Sequence, residues 1–168
     1  MRTMKTIWKS AFVATLVLAF TACSDDDDNG GSSTPAGYYL TAKVDGQNYS
    51  NSNLFDPTAV VAGGMLMIQS STNSGDAIQI QIPNYTGPGT YNSGNNDLTA
   101  GFVNFMDMGA TVGQFTSYTS VRGTGQVIVT EDTAEKVEGT FTATAFENVE
   151  GSTNDVAITQ GSFRAEKN

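Results

Sequence analysis

Histidine is absent from the 168 residues, while cysteine occurs once, at Cys23, and tryptophan once, at Trp8. Without imidazole the chain lacks the commonest general base, the usual transition-metal ligand and the ordinary Ser/His/Asp triad. A lone cysteine excludes intrachain disulfides and thiolate metal clusters. Basic residues are few, eight Lys and Arg against seventeen Asp and Glu, for a net charge of −9. Phosphate binding needs clustered cations, so nucleic acid is excluded as a partner. The apolar run AFVATLVLAF at residues 11–20 rises only about 15 Å as a helix, half the hydrocarbon thickness of a bilayer. There is no G-x-S-x-G elbow, phosphate-cradling loop or dinucleotide fingerprint. No cofactor is expected. Catalysis would have to rest on carboxylates, Ser, Tyr or Lys, and the composition favours a non-catalytic protein.

What is present begins with an export address. Arg2, Lys5 and Lys9 precede the apolar run, the layout of a signal segment, and the run ends in Phe20-Thr21-Ala22-Cys23. These residues resemble a lipobox, with Phe20 where Leu is usual. The resemblance implies cleavage after Ala22 and acylation of Cys23, which would tie the chain to a membrane through its acyl chains. Ser24, Asp25, Asp26, Asp27 and Asp28 follow directly. They resemble the lipoprotein export signal of Bacteroidota, which implies an outer-membrane lipoprotein facing the cell exterior. Cleavage would leave five basic residues against seventeen acidic ones, a net charge of −12. The expected organisation is a signal peptide at 1–22, a lipidated cysteine with an acidic, Gly/Ser-rich tether at 23–37, and one β-domain at 38–168.

Within that domain the hydrophobic period is two and turn residues recur every eight to twelve positions, the rhythm of an antiparallel sandwich or barrel. Leu40, Ala42 and Val44 alternate with Thr41 and Lys43 before an Asp45-Gly46 hairpin turn. Gly63-Gly64 joins strands at 58–62 and 65–70. Ile78, Ile80 and Ile82 alternate with Gln79 and Gln81, so one face is buried and the other wet. Residues 84–91 read as a loop and 92–97 as a polar turn, followed by strands at about 98–106, 114–120 and 125–130. Val137, Gly139, Phe141, Ala143 and Ala145 share one face of the next strand, opposite Glu138, Thr140, Thr142 and Thr144. An odd step separates Ile158 from Phe163, which predicts a β-bulge near Gln160-Gly161. The reading is an all-β fold, an antiparallel β-sandwich of about eight to nine strands, with a small closed β-barrel as the alternative.

Three segments, Gly125-Gln126-Val127-Ile128-Val129-Thr130, Glu138-Gly139-Thr140-Phe141-Thr142-Ala143-Thr144-Ala145 and Thr159-Gln160-Gly161-Ser162-Phe163, resemble an uncharacterised β-domain family common in Bacteroidota lipoproteins. The resemblance implies a β-sandwich and no established activity.

Few side chains stand out as a site. Tyr85, Tyr91, Phe102, Phe105, Phe115 and Tyr118 are mostly needed to fill a core that has no tryptophan. Phe102 and Phe105 have opposite parity, so one of them faces outward, where an aromatic among Asn, Thr and Gln suits sugar stacking. Tyr85, Tyr91, Phe102 and Phe105 are therefore the candidate ligand contacts. Asn95 and Asp97 offer oxygen ligands for calcium, with Asp107, Glu131 and Asp132 as further charge, but the spacing fits no EF-hand and turns want the same residues. Asp132-Thr133-Ala134 resembles the acceptor pattern of the O-glycosylation system that Bacteroidota apply to exported proteins, which implies a glycan on Thr133. The expected function is a surface binding module for glycan or protein. The alternative is a structural or accessory subunit of an outer-membrane complex, and a carboxylate-based hydrolase ranks below both.

Overall fold

Alternation decides the architecture. Ile78, Ile80 and Ile82 are fully buried, whereas Gln79 and Gln81 between them reach the opposite face, as a strand with one face in a core requires. A computed structural model of the chain describes residues 37–109 and 113–168. The expected signal peptide, Cys23 and the acidic run at 24–28 lie outside the described residues. Ten strands form one sheet: β1 (Tyr39–Val44), β2 (Gln47–Ser50), β3 (Thr58–Ala62), β4 (Met65–Ser71), β5 (Ala77–Ile82), β6 (Gly89–Gly94), β7 (Phe102–Asp107), β8 (Thr116–Asp132), β9 (Lys136–Glu147) and β10 (Asp155–Lys167). The all-β class holds, with ten strands among the described residues rather than eight or nine.

Pairing is antiparallel except between β10 and β3, where Glu166 and Lys167 lie parallel to Thr58 and Ala59. Through that contact the hydrogen bonding runs from β3 by way of β4, β5, β7, β8, β9 and β10 back to β3. The hairpin β1-β2 continues from β10, and β6 pairs with β8. Asp45 and Gly46 (φ 48° and 80°) and Gly63 and Gly64 (φ 58° and 77°) make the two expected tight turns.

Three expectations are corrected here. The segments 114–120 and 125–130 are not two strands but one, β8, which bends. From Thr119 to Thr124 it advances five residues while β9 advances two, from Phe146 to Thr144. Its first half pairs with β7 and its second with β6. At the bend the buried Ser120 hydroxyl accepts the Val103 N–H at 2.8 Å and bonds the Ser93 hydroxyl at 2.8 Å, so a side chain joins three strands. Residues 89–94, read as loop and turn, form β6. Its Gly, Asn and Ser residues look like turn formers, but β8 supplies partners for its backbone and only Tyr91 among its side chains packs against the core. The strand placed at 98–106 begins only at Phe102.

The bulge is where the odd step puts it: β10 advances three residues from Ile158 to Gly161 while β9 advances two, from Ala143 to Phe141. Gln160 takes the extra position at φ 53°. Phase is thereby restored, and Phe163 and Ala165 are as buried as Ile158. Two glycines make room for rings across this pair. Phe163 stands opposite Gly139 and Phe141 opposite Gly161, and a Cβ on either glycine would lie 2.6 or 2.7 Å from the facing ring. Phe141 and Phe163 themselves sit 6.3 Å apart in the core.

Candidate functional site

The outer face of the strands between β3 and β8 carries a row of uncharged polar side chains. Thr58 pairs with Gln69, Gln69 with Gln79, Gln79 with Asn104, and Asn104 with Thr119. Directly opposed residues point to the same face, so register alone aligns these five groups. The next row on that face is Ser71, Ala77, Met106 and Ser117. Both rows floor a cleft of about 950 Å³. Gln79 accepts a hydrogen bond from Gln81 Nε2 at 2.5 Å and donates to Met67 Sδ at 3.3 Å. No described hydrogen bond engages the amides of Gln69 and Asn104.

Two loops wall the cleft with apolar residues that stand in water. Leu54 and Phe55 are 79% and 70% exposed, and Leu98 is 66% exposed. Neither loop is loosely held. Buried Ser52 gives its backbone N–H to Ser71 O (2.7 Å), its hydroxyl to Asn73 Oδ1 (2.6 Å), and accepts the Leu54 N–H (3.0 Å). On the other side the Asn96 N–H is bonded to Val121 O of β8 at 2.9 Å, and Asp97 accepts the backbone N–H and hydroxyl of Thr99 at 2.8 and 2.7 Å, bonds that hold its carboxyl below the usual carboxylate range. The far end is closed by the β9–β10 loop. Arg122 straps it by donating to the carbonyls of Glu147, Val149 (2.5 Å) and Ser152 (3.3 Å). Ser152 and Asn154 donate to the Glu147 carboxylate, lowering its pKa. Glu166 and Asp56 line the cleft near β3.

Of the four aromatic contacts expected from sequence, Phe102 alone lines this cleft, 9% exposed on its wall. Phe105 faces the core, stacked 6.1 Å from Tyr118 and edge-on to Tyr49 at 6.5 Å. Tyr85 and Tyr91 pair with each other at 5.7 Å. The Tyr85 hydroxyl donates to Asp132 at 3.0 Å, and burial together with that carboxylate pushes its pKa well above the ordinary tyrosine value. Of the six aromatics, most of them expected in the core, Phe115 is the one that stands in water, 63% exposed. Asn95 and Asn96 sit at φ 57° and 58°, the turn conformation, and Asp97 is held by Thr99. Asp107 accepts the Gly109 N–H, Glu131 the Lys136 ammonium and Asp132 that of Lys167. The carboxylates considered for calcium are thus each bonded within their own surroundings. Among the described residues no group of three or more carboxylates is placed to hold a metal. Thr133 is exposed in the β8–β9 turn, its hydroxyl accepting the Glu135 and Lys136 N–H groups.

Gln69, Gln79, Asn104 and Thr119 were not singled out from sequence. The signal was the recurrence of amides and hydroxyls at outward positions of successive strands, but which outward positions align is a matter of register, which no single strand encodes.

Chemically the floor offers hydrogen-bond donors and acceptors beside apolar carbon, on an all-β domain whose sheet leaves one face open as a cleft. Residues 38–165 match the family model described as "Domain of unknown function (DUF6252)", and the chain belongs to that family. No curated protein and no solved structure matches the chain.

Proposed function

We propose that this protein is a lipid-anchored lipoprotein of the outer membrane, displayed at the cell exterior, whose β-domain is a non-catalytic binding module. The observation that carries the binding reading is the contrast within the cleft: Leu54, Phe55 and Leu98 are exposed on anchored loops above a floor of uncharged polar groups. Apolar side chains held in water around a concavity are what a ligand site requires. The anchor and display rest on the residues around Cys23 and on the acidic run that follows. Thr133, exposed at a turn, is proposed as a glycan acceptor. Its ether oxygen would still accept the two turn N–H bonds after modification, while the hydroxyl's own bond to Lys136 O would be given up at an exposed turn.

A photo-reactive amino acid in place of Gln69 in the full chain, illuminated in intact cells of the source organism, is expected to give a covalent adduct. The same group at Val61 is the control. Val60, Val61 and Met65, each a little over a third exposed at the β3–β4 hairpin, support the second reading, an accessory subunit docked through that tip. An adduct at Val61 and none at Gln69 would move the function there.

A further inference from the structure

Resting on that reading of the cleft, we propose that its ligand is an uncharged oligosaccharide lying across the strands along Thr58, Gln69, Gln79, Asn104 and Thr119. Strands lie about 4.8 Å apart, so a row over five of them extends roughly 19 Å. That length suits a chain of several sugar units better than one small molecule. The amides of Gln69 and Asn104 present a donor and an acceptor side by side, Gln79 keeps one amide hydrogen beyond its bonds to Gln81 and Met67, and the Thr119 hydroxyl, which accepts the Val121 N–H, keeps its own hydrogen to give; paired donors and acceptors are also the character of a sugar hydroxyl.

Charge argues for a neutral ligand. The five floor groups are uncharged, and an anion laid on them would be desolvated without a counter-ion. The one guanidinium in the lining, Arg122, spends its N–H groups on three loop carbonyls and sets its charge beside the Glu147 carboxylate. Asp56 and Glu166 at the other end would repel an anionic polymer. On one side of the polar row lies carbon, Ala77 and Met106, on the other side Phe102 of β7, and the open ring of Phe55 stands at the rim. Sugar rings have apolar C–H faces as well as hydroxyl edges, and the two rows meet both. A protein partner would instead favour an apolar interface centre, which is the position the amides occupy.

The test is affinity electrophoresis of the full chain in mild detergent, through gels containing mixed-linkage β-glucan, xylan, mannan or starch, and through a gel containing polygalacturonate. At least one neutral polymer should retard the protein, and the exposed-site variant Gln69→Ala and the double variant Gln79→Leu/Asn104→Leu should bind about tenfold more weakly or worse. Gln69→Ala keeps the test valid if the double variant fails to fold, since Gln69 is exposed. Retardation by polygalacturonate alone, or equal retardation of wild type and Gln69→Ala, overturns the proposal. If no polymer retards the protein while the probe at Gln69 captures a polypeptide, the glycan is refuted and the binding cleft stands. If neither experiment gives a contact, both fall.

Discussion

Tyr49 shows how much one hydroxyl can carry. From β2 it reaches across to donate to Ser70 O at 2.9 Å and accept the Ile78 N–H at 3.1 Å, and burial raises its pKa above the ordinary value. Tyr49→Phe removes both of these bonds from the interior, a loss of about 1–3 kcal/mol, to be read from urea unfolding. Ser70 gives the contrast. Its buried hydroxyl has no partner among the described residues, so Ser70→Ala should leave stability unchanged or raise it in the same assay. At this scale the sequence was partly legible. The parity of Phe102 and Phe105 placed them on opposite faces, but which face was the core depended on neighbouring strands.

Elements were legible where an apolar period drove them and obscure where a partner strand did. β5, β9 and the bulge in β10 follow from side-chain phase, because a one-residue slip would turn the buried set to water. β6 has almost no apolar face, and the continuity of β8 is set by the Ser120 bonds at its bend, so neither left a periodic signature. The long β8-β9-β10 ribbon also carries the densest charge. Glu138 accepts hydrogen bonds from Lys136 and from Arg164, the latter at 2.7 Å, and the Lys136 bond is the main cause holding its pKa below the usual glutamate value. A carboxyl whose native pKa is depressed adds stability above its unfolded pKa, about 4.3, and loses it as pH falls through the native value. The urea midpoint should therefore drop below about pH 4.3, and Glu138→Gln should flatten that part of the profile. An unchanged slope would show that Glu138 is not linked to folding.

For the whole molecule, the proposed address is a linear pattern in the sequence, whereas the cleft depends on register and is invisible strand by strand. The intact mass of protein from the source cells should show cleavage before Cys23 with acyl chains added, and hexose-type mass that disappears in Thr133→Ala. Cys23→Ala should release the chain from the membrane fraction without detergent. A chain that still needs detergent would rule out the anchor.

The binding cleft itself is tested most directly through its methionines. Met67 and Met106 lie on the outer face of β4 and β7 beside the polar row, while Met65 stands at the opposite end of β4. In full-length protein carrying ¹³C-methyl methionine, soluble extract of the source cells' surface material should shift the Met106 signal and, less strongly, that of Met67, with Met65 unmoved. A shift of Met65 with Met106 unchanged would contradict the account, because ligand would then be engaging the hairpin tip and not the cleft.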